Sequence, residues 1–155
     1  MSHNKTQIFL GYEDEVTKTF WAGGELFYNF TDKLEVPTGS GTSVDAANEF
    51  GLKIKGGTPI GEKTSLYLTL RWINKEFRKH TGVLGQINRK YVWGIAPGGE
   101  AQYKVNNRWT LHAGAYYAFY PKFDTTTYLN ANAGTAKLKP TEYGFTFGLS
   151  YKLND

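Results

Sequence analysis

From Ser65 to Ile73 the chain sets Leu66, Leu68, Leu70 and Trp72 against Ser65, Tyr67, Thr69 and Arg71. A period of two puts two such sets on opposite faces of an extended strand. The C-terminal segment repeats it, with Tyr143, Phe145, Phe147, Leu149, Tyr151 and Leu153 against Gly144, Thr146, Gly148, Ser150 and Lys152. Trp109 to Phe119 alternates in the same way, as do Phe50 to Lys55, Gly24 to Phe30 and, around Pro97, Tyr91 to Val105. Pro97 predicts a bulge or an edge irregularity there. Ile8, Leu10 and Tyr12 open the series.

Polar breaks divide these runs. Thr31-Asp32-Lys33, Pro59 to Lys63 and Asn106-Asn107-Arg108 are short and predict tight turns on one rim. Breaks over 37–47, 79–88 and 122–140 are longer, with a shorter one near 13–19. The pattern predicts an all-β, antiparallel up-and-down barrel of about eight strands, near 6–13, 19–30, 33–44, 48–57, 64–78, 89–105, 108–121 and 142–153. The third is the weakest, and it is counted because an even number brings both ends to the short-turn rim.

With 155 residues, the sequence suits a single domain over 1–155. Aromatic residues make up 16%, and eighteen glycines stand against a single methionine, which favours strands and tight turns over helices. Cysteine is absent, removing disulfides and thiol chemistry. The net charge of +4 is spread along the chain, so no nucleic-acid partner is expected. No apolar run is long enough for a transmembrane helix, which leaves barrel strands open. Met1 to Lys5 carries no signal-peptide character, so an exported protein would be present here in mature form.

Alternation does not say which face points inward: a soluble barrel buries its apolar face, and a membrane barrel turns it to lipid. Two features favour lipid. The polar faces mix Gly51, Gly94, Gly114, Gly144 and Gly148 with Glu25, Lys53, Arg71, Glu100, Lys104 and Lys152, as a narrow filled lumen requires. Aromatic residues also gather at strand ends. Phe20, Trp72, Tyr91, Trp93, Phe119 and Tyr143 are assigned to the long-loop rim, and Phe30, Tyr103, Trp109 and Tyr151 to the short-turn rim, as two interfacial belts. A soluble barrel holding an apolar ligand is the alternative.

Gly24 to Leu34, Gly99 to Leu111 and the final strand Tyr143 to Leu153 resemble the strand–turn–strand units and C-terminal assembly signal of small outer-membrane barrels of the OmpA and OmpX kind. That resemblance implies a bacterial outer-membrane location, contact with membrane lipid or lipopolysaccharide, delivery by the outer-membrane insertion machinery, and a monomer.

Candidate chemistry is sparse. His3, His80 and His112 have no metal-ligand spacing, and no cofactor is expected. Glu25, Lys53, Arg71, Glu100, Lys104, His112 and Lys152 are expected to share the lumen, joined by Glu13, Glu49 and Lys55. Near-balance of sign predicts a paired network that plugs the barrel, with Glu25 or Glu100 as partner to Arg71. The expected role is structural, adhesive or surface-interacting, without catalysis. An outer-membrane lipid hydrolase is a further alternative, disfavoured because His112 reads as a hydrogen-bonded lumen residue. The loop over 122–140 is expected to be solvated, and Arg78, Lys79, Arg89 and Lys90 mark a basic rim that either touches lipopolysaccharide phosphates or is simply solvated.

Overall fold

Among the described residues ten strands account for the regular structure, and their order follows the alternating runs. They are β1 (Lys5–Thr17), β2 (Phe20–Thr31), β3 (Leu34–Thr38), β4 (Thr42–Pro59), β5 (Thr64–Thr81), β6 (Ile87–Lys104), β7 (Trp109–Phe119), β8 (Phe123–Asp124), β9 (Lys137–Leu138) and β10 (Thr141–Tyr151). The computed structural model describes the backbone over 5–31, 34–38, 42–81, 87–121, 123–124, 137–138 and 141–153, and side chains over 7–30, 48–76, 91–121 and 141–153. His3, the side chain of His80 and most of the loop expected over 122–140 lie outside those residues. Eight strands form one antiparallel sheet in the order β1-β2-β4-β5-β6-β7-β10, with β3 also on β4; β8 and β9 pair separately.

The short third strand corrects the expected turn at Thr31-Asp32-Lys33. One edge of β4 is occupied throughout by β5, from Thr42↔Thr81 to Pro59↔Ser65. Both β2 (Trp21↔Gly57 to Asn29↔Glu49) and β3 (Leu34↔Ala46 to Thr38↔Thr42) therefore lie on the other edge, end to end and running the same way. The chain advances five residues from Asn29 to Leu34 while β4 advances three, so the break absorbs extra residues without reversing direction. The separate strand expected over 33–44 is instead an extension of β2 plus the return into β4.

This moves the rims. Connections at 18–19, 60–63 and 105–108 share the short-turn rim, and the ends of β3, β5 and β7 lie with the starts of β4, β6 and β10 at the opposite one. Phe20 thus belongs to the short-turn rim and Phe30 to the long-loop rim, the reverse of the sequence assignment. β1 and β10 run in the same direction, so Lys5 and Tyr151 lie at opposite rims instead of meeting at one. At Pro97 the expected disturbance is an irregularity and not a bulge: pairing of β6 with β7 lapses between Ile95↔Phe119 and Gly98↔Tyr116 and resumes in the same register. A missing N–H donor does that without inserting a residue.

The faces sort as in a membrane barrel, apolar outward and charged inward. Leu68 is 79% exposed and Phe147 85%, whereas Arg71 and Lys53 are 2% and 3% exposed. This inverts the arrangement a soluble ligand-binding barrel needs. Burial of the inner face is uneven. Inward residues of β4 and β5 are buried, while Gln7 and Phe9 on β1 and Gly144 to Ser150 on β10 are half-buried, because no pairing joins β1 to β10 among the described residues. A seam separates these two edges.

Inward glycines make room for inward rings. A Cβ on Gly51 would lie 2.7 Å from Phe27 Cζ and closer still to the Trp72 carbonyl, and one on Gly94 would lie 2.5 Å from Tyr120 Cδ1. Each ring folds over a glycine on the neighbouring strand, filling the lumen without widening it. Gly51→Ala is expected to cost about 1–3 kcal/mol, because the clash is with backbone as well as with a ring. Urea midpoints of the two proteins refolded in the same lipid check this.

Candidate functional site in the barrel interior

Charged residues meet inside because register places them on one inner face. Glu25 pairs with Lys53 across β2 and β4, and Lys53 with Arg71 across β4 and β5. Glu100 on β6 reaches across β5, the strand between. Lys53 Nζ lies 2.6 Å from Glu25 Oε2 and 2.7 Å from Glu100 Oε2, bridging β2 and β6. Lys55 Nζ is 2.5 Å from Glu13 Oε2 and 2.8 Å from Glu25 Oε1. Tyr67 donates its hydroxyl to Glu13 at 2.9 Å, and Gln102 donates to Glu100 Oε1, also at 2.9 Å. Three carboxylates thus share two ammonium groups, each charge offset by neighbours where water is scarce.

A second cluster lies nearer the long-loop rim. Lys75 bridges Glu142 and Glu49, the latter at 3.7 Å, and Asn29 donates its amide to Glu49. Lys75 also lies 5.7 Å from the centroid of the Tyr120 ring.

Between the clusters sits Arg71, within electrostatic reach of Glu100 and Glu25, as expected, and of Glu49. The carboxylates proposed for it, Glu25 and Glu100, are held by Lys53 and Lys55. Arg71 Cζ itself lies 4.5 Å from the Tyr116 ring centroid and 5.8 Å from that of Phe27. Its charge rests on aromatic faces, which a delocalised, weakly hydrated guanidinium tolerates better than an ammonium would.

Of the residues expected to share the lumen network, Glu25, Lys53, Arg71, Glu100 and His112 are brought together. Lys104 and Lys152 are not. Lys104 is exposed at the short-turn rim, its Nζ 4.4 Å from the Trp21 ring centroid. Lys152 follows the end of β10, exposed, with its main-chain N–H donated to the Arg108 carbonyl. Both have inward phase but lie where the wall ends, so their long stems reach water.

Sequence reasoning missed Lys75, Glu142 and Ser150. Lys75 shares the parity of Arg71 and Ile73, a signal that was available. Ser150 needed the register: β6, β7 and β10 set Gln102 against His112 and His112 against Gly148, which leaves Glu100 and Ser150 diagonal to His112 on either side. His112 Nε2 lies 2.6 Å from Ser150 Oγ, and Nδ1 lies 3.1 Å from Glu100 Oε1.

Beside this row opens a cavity of about 390 Å³, lined by Phe9, Arg71, His112, Tyr116, Phe145 and Phe147 among others. Phe145 and Phe147 belong to the outward face of β10, so the cavity reaches around its unpaired edge through the seam.

No protein-family model matches the sequence, and no curated protein matches it. Among solved structures the fold is similar to that of Ail, the attachment invasion locus protein of Yersinia pestis. The likeness covers 92% of this chain and 79% of that one, with a TM-score of 0.59 at 15% identity. It establishes the fold, a small antiparallel up-and-down β-barrel.

Proposed function

We propose that the chain is a bacterial outer-membrane β-barrel with a surface-interaction role, its lumen closed by the two ion-pair clusters. The observation that carries this is the pairing of an outward apolar wall with buried inward charges, since only a lipid surround makes that arrangement favourable. Aromatic pairs mark both boundaries: Tyr28 with Phe30 and Tyr117 with Phe119 toward the long-loop rim, Trp109 with Tyr151 at the short-turn rim. Strands β4, β5 and β6 each run 18 residues, beyond the ~9–11 that a bilayer needs. The surplus carries them past the membrane at the long-loop rim.

There the register sets Arg78 opposite Arg89 and Phe77 opposite Lys90, with Lys79 adjoining. This basic margin supports contact with anionic headgroups or lipopolysaccharide phosphates. Attachment, the property for which Ail is named, fits a rigid barrel presenting variable connections on one rim. In this reading the protein is a single-domain monomer, placed by the outer-membrane insertion machinery.

Lysines threaded between carboxylates leave no continuous water path in this proposal. Planar-bilayer recordings of the refolded protein are expected to show no large steady current. A reproducible open pore of porin size would defeat the plug, and failure to float with vesicles would defeat the membrane assignment.

A further inference from the structure

Ser150, His112 and Glu100 lie in the order that nucleophilic acyl transfer uses. The hydroxyl faces one imidazole nitrogen at 2.6 Å and the carboxylate faces the other at 3.1 Å. With Nδ1–H donated to Glu100, Nε2 is left as the acceptor for the Ser150 proton, the tautomer such a base requires. Glu100 is itself fixed, its Oε2 held by Lys53 at 2.7 Å and its Oε1 by Gln102 at 2.9 Å. An orienting acid anchored in this way limits the imidazole to one setting.

Three further features point to a lipid ester as the substrate. His112 and Glu100 line a cavity whose other walls include Phe9, Phe145, Phe147 and Gly148; Ser150 lies one inward position beyond Gly148, outside its lining, and the volume of about 390 Å³ suits part of an acyl chain. The cavity opens through the seam to the outward face of β10. Height in the membrane also agrees. Ser150 pairs with Thr110 one residue from the Trp109–Tyr151 aromatic pair, so it stands at the interfacial level, where glycerolipid ester groups lie and acyl tails begin. Room is left beside the base, because a Cβ on Gly148 would meet nothing nearer than His112 Cβ at 4.0 Å.

We propose that Ser150, His112 and Glu100 form a serine acyl-hydrolase site, open through the seam between β1 and β10 to the acyl esters of membrane lipid. Ser150 Oγ attacks the ester carbonyl carbon while its proton passes to His112 Nε2, and Glu100 stabilises the imidazolium. The developing oxyanion needs a donor. Lys152 donates its N–H toward β7, so strand alternation turns the N–H groups of Leu149 and Tyr151 toward the seam; they stand about 6.7 Å apart, so only one of them serves a given oxyanion. Collapse breaks the acyl C–O bond, and the alcohol leaves with the proton from Nε2. Water, deprotonated by the same nitrogen, then cleaves the acyl-Ser150 ester. One ester and one water give one fatty acid and one alcohol, and no other reactant is required.

Because the site rests on the membrane reading above, vesicle flotation is measured on the same samples. Full-length protein refolded into phosphatidylglycerol–phosphatidylethanolamine vesicles is expected to release free fatty acid and to carry a fluorophosphonate adduct on Ser150, located by mass spectrometry. Ser150→Ala should bring release to the level of protein-free vesicles, and His112→Asn should lower it by about 10²–10⁴-fold. Thr58→Ala, exposed on β4 and outside this row, should change neither signal. Circular dichroism and flotation show which variants remain folded and embedded. Should a variant misfold, the adduct on the unmodified protein still decides the point. Embedded protein that takes no label at Ser150, or a folded Ser150→Ala that releases fatty acid as fast as the unmodified protein, would overturn the site. Protein that does not float yet labels at Ser150 and hydrolyses a short-chain nitrophenyl ester keeps the triad and overturns the lipid substrate.

Discussion

Replacing Lys53 by alanine is expected to lower the stability of the refolded barrel by about 3–5 kcal/mol, read as a fall in the urea midpoint in lipid. The ammonium is 3% exposed and lies within 2.7 Å of two carboxylates that are themselves buried. Alanine would leave Glu25 with Lys55 as its near ion-pair partner, and Glu100 with hydrogen-bond donors and Lys55 at 3.9 Å, with Arg71 acting on both from farther away. An excess of buried negative charge is then the dominant cost. Adding Glu100→Gln should recover part of the loss, because a neutral amide asks for no counter-charge. Lys63→Ala, in the exposed turn after β4, should stay within about 0.5 kcal/mol. Equal midpoints for Lys53→Ala and Lys63→Ala would mean that Glu25 and Glu100 are hydrated and the interior is an aqueous channel.

Leu68→Arg should cost about 2–4 kcal/mol in bilayers, where the side chain meets hydrocarbon near mid-span. Leu68 is 79% exposed on β5, four residues past the strand's start at Thr64 and four before the outward Trp72. Thr69, its inward neighbour, is buried, and a polar substitution of similar size there touches other groups entirely. The comparison that checks the assignment is Leu68→Arg against Lys18→Arg in the short-turn rim, both refolded in the same lipid. A neutral Leu68→Arg, in a protein that also folds without detergent or lipid, would return the barrel to water.

Alternation carried most of the wall. The phase of Leu66, Leu68, Leu70 and Trp72 against Tyr67, Thr69 and Arg71 is that of the folded β5, and the same holds along β6, β7 and β10. Direction was harder to read. A short polar break such as Thr31 to Lys33 looks the same whether the chain reverses or merely bulges, and the difference lies in a partner strand, β4, that no local pattern specifies. From that one ambiguity followed the separate third strand, the exchanged places of Phe20 and Phe30, and the expectation that both ends share a rim. In the interior, neighbours such as Glu25 and Lys53 follow from pairing adjacent strands. The bridge from Lys53 to Glu100 passes over β5, and the approach of Ser150 to His112 is diagonal. Both depend on strand tilt and stagger, which are global properties of the curled sheet.

Every outward leucine or phenylalanine in this wall is flanked along the chain by residues destined for the polar interior. Before strands pair, therefore, no stretch of the polypeptide is greasy enough to be retained by a bilayer as a helix, and the extended chain remains wettable. Lipid affinity arises only when pairing gathers the alternate residues onto one surface and satisfies the backbone along their edges. For such a chain, crossing a watery compartment and residing in a membrane are two states of one polymer. A substitution that weakens the interior clusters would then be seen first as protein held back in the aqueous phase, since the same step that completes the fold also creates the surface that lipid recognises.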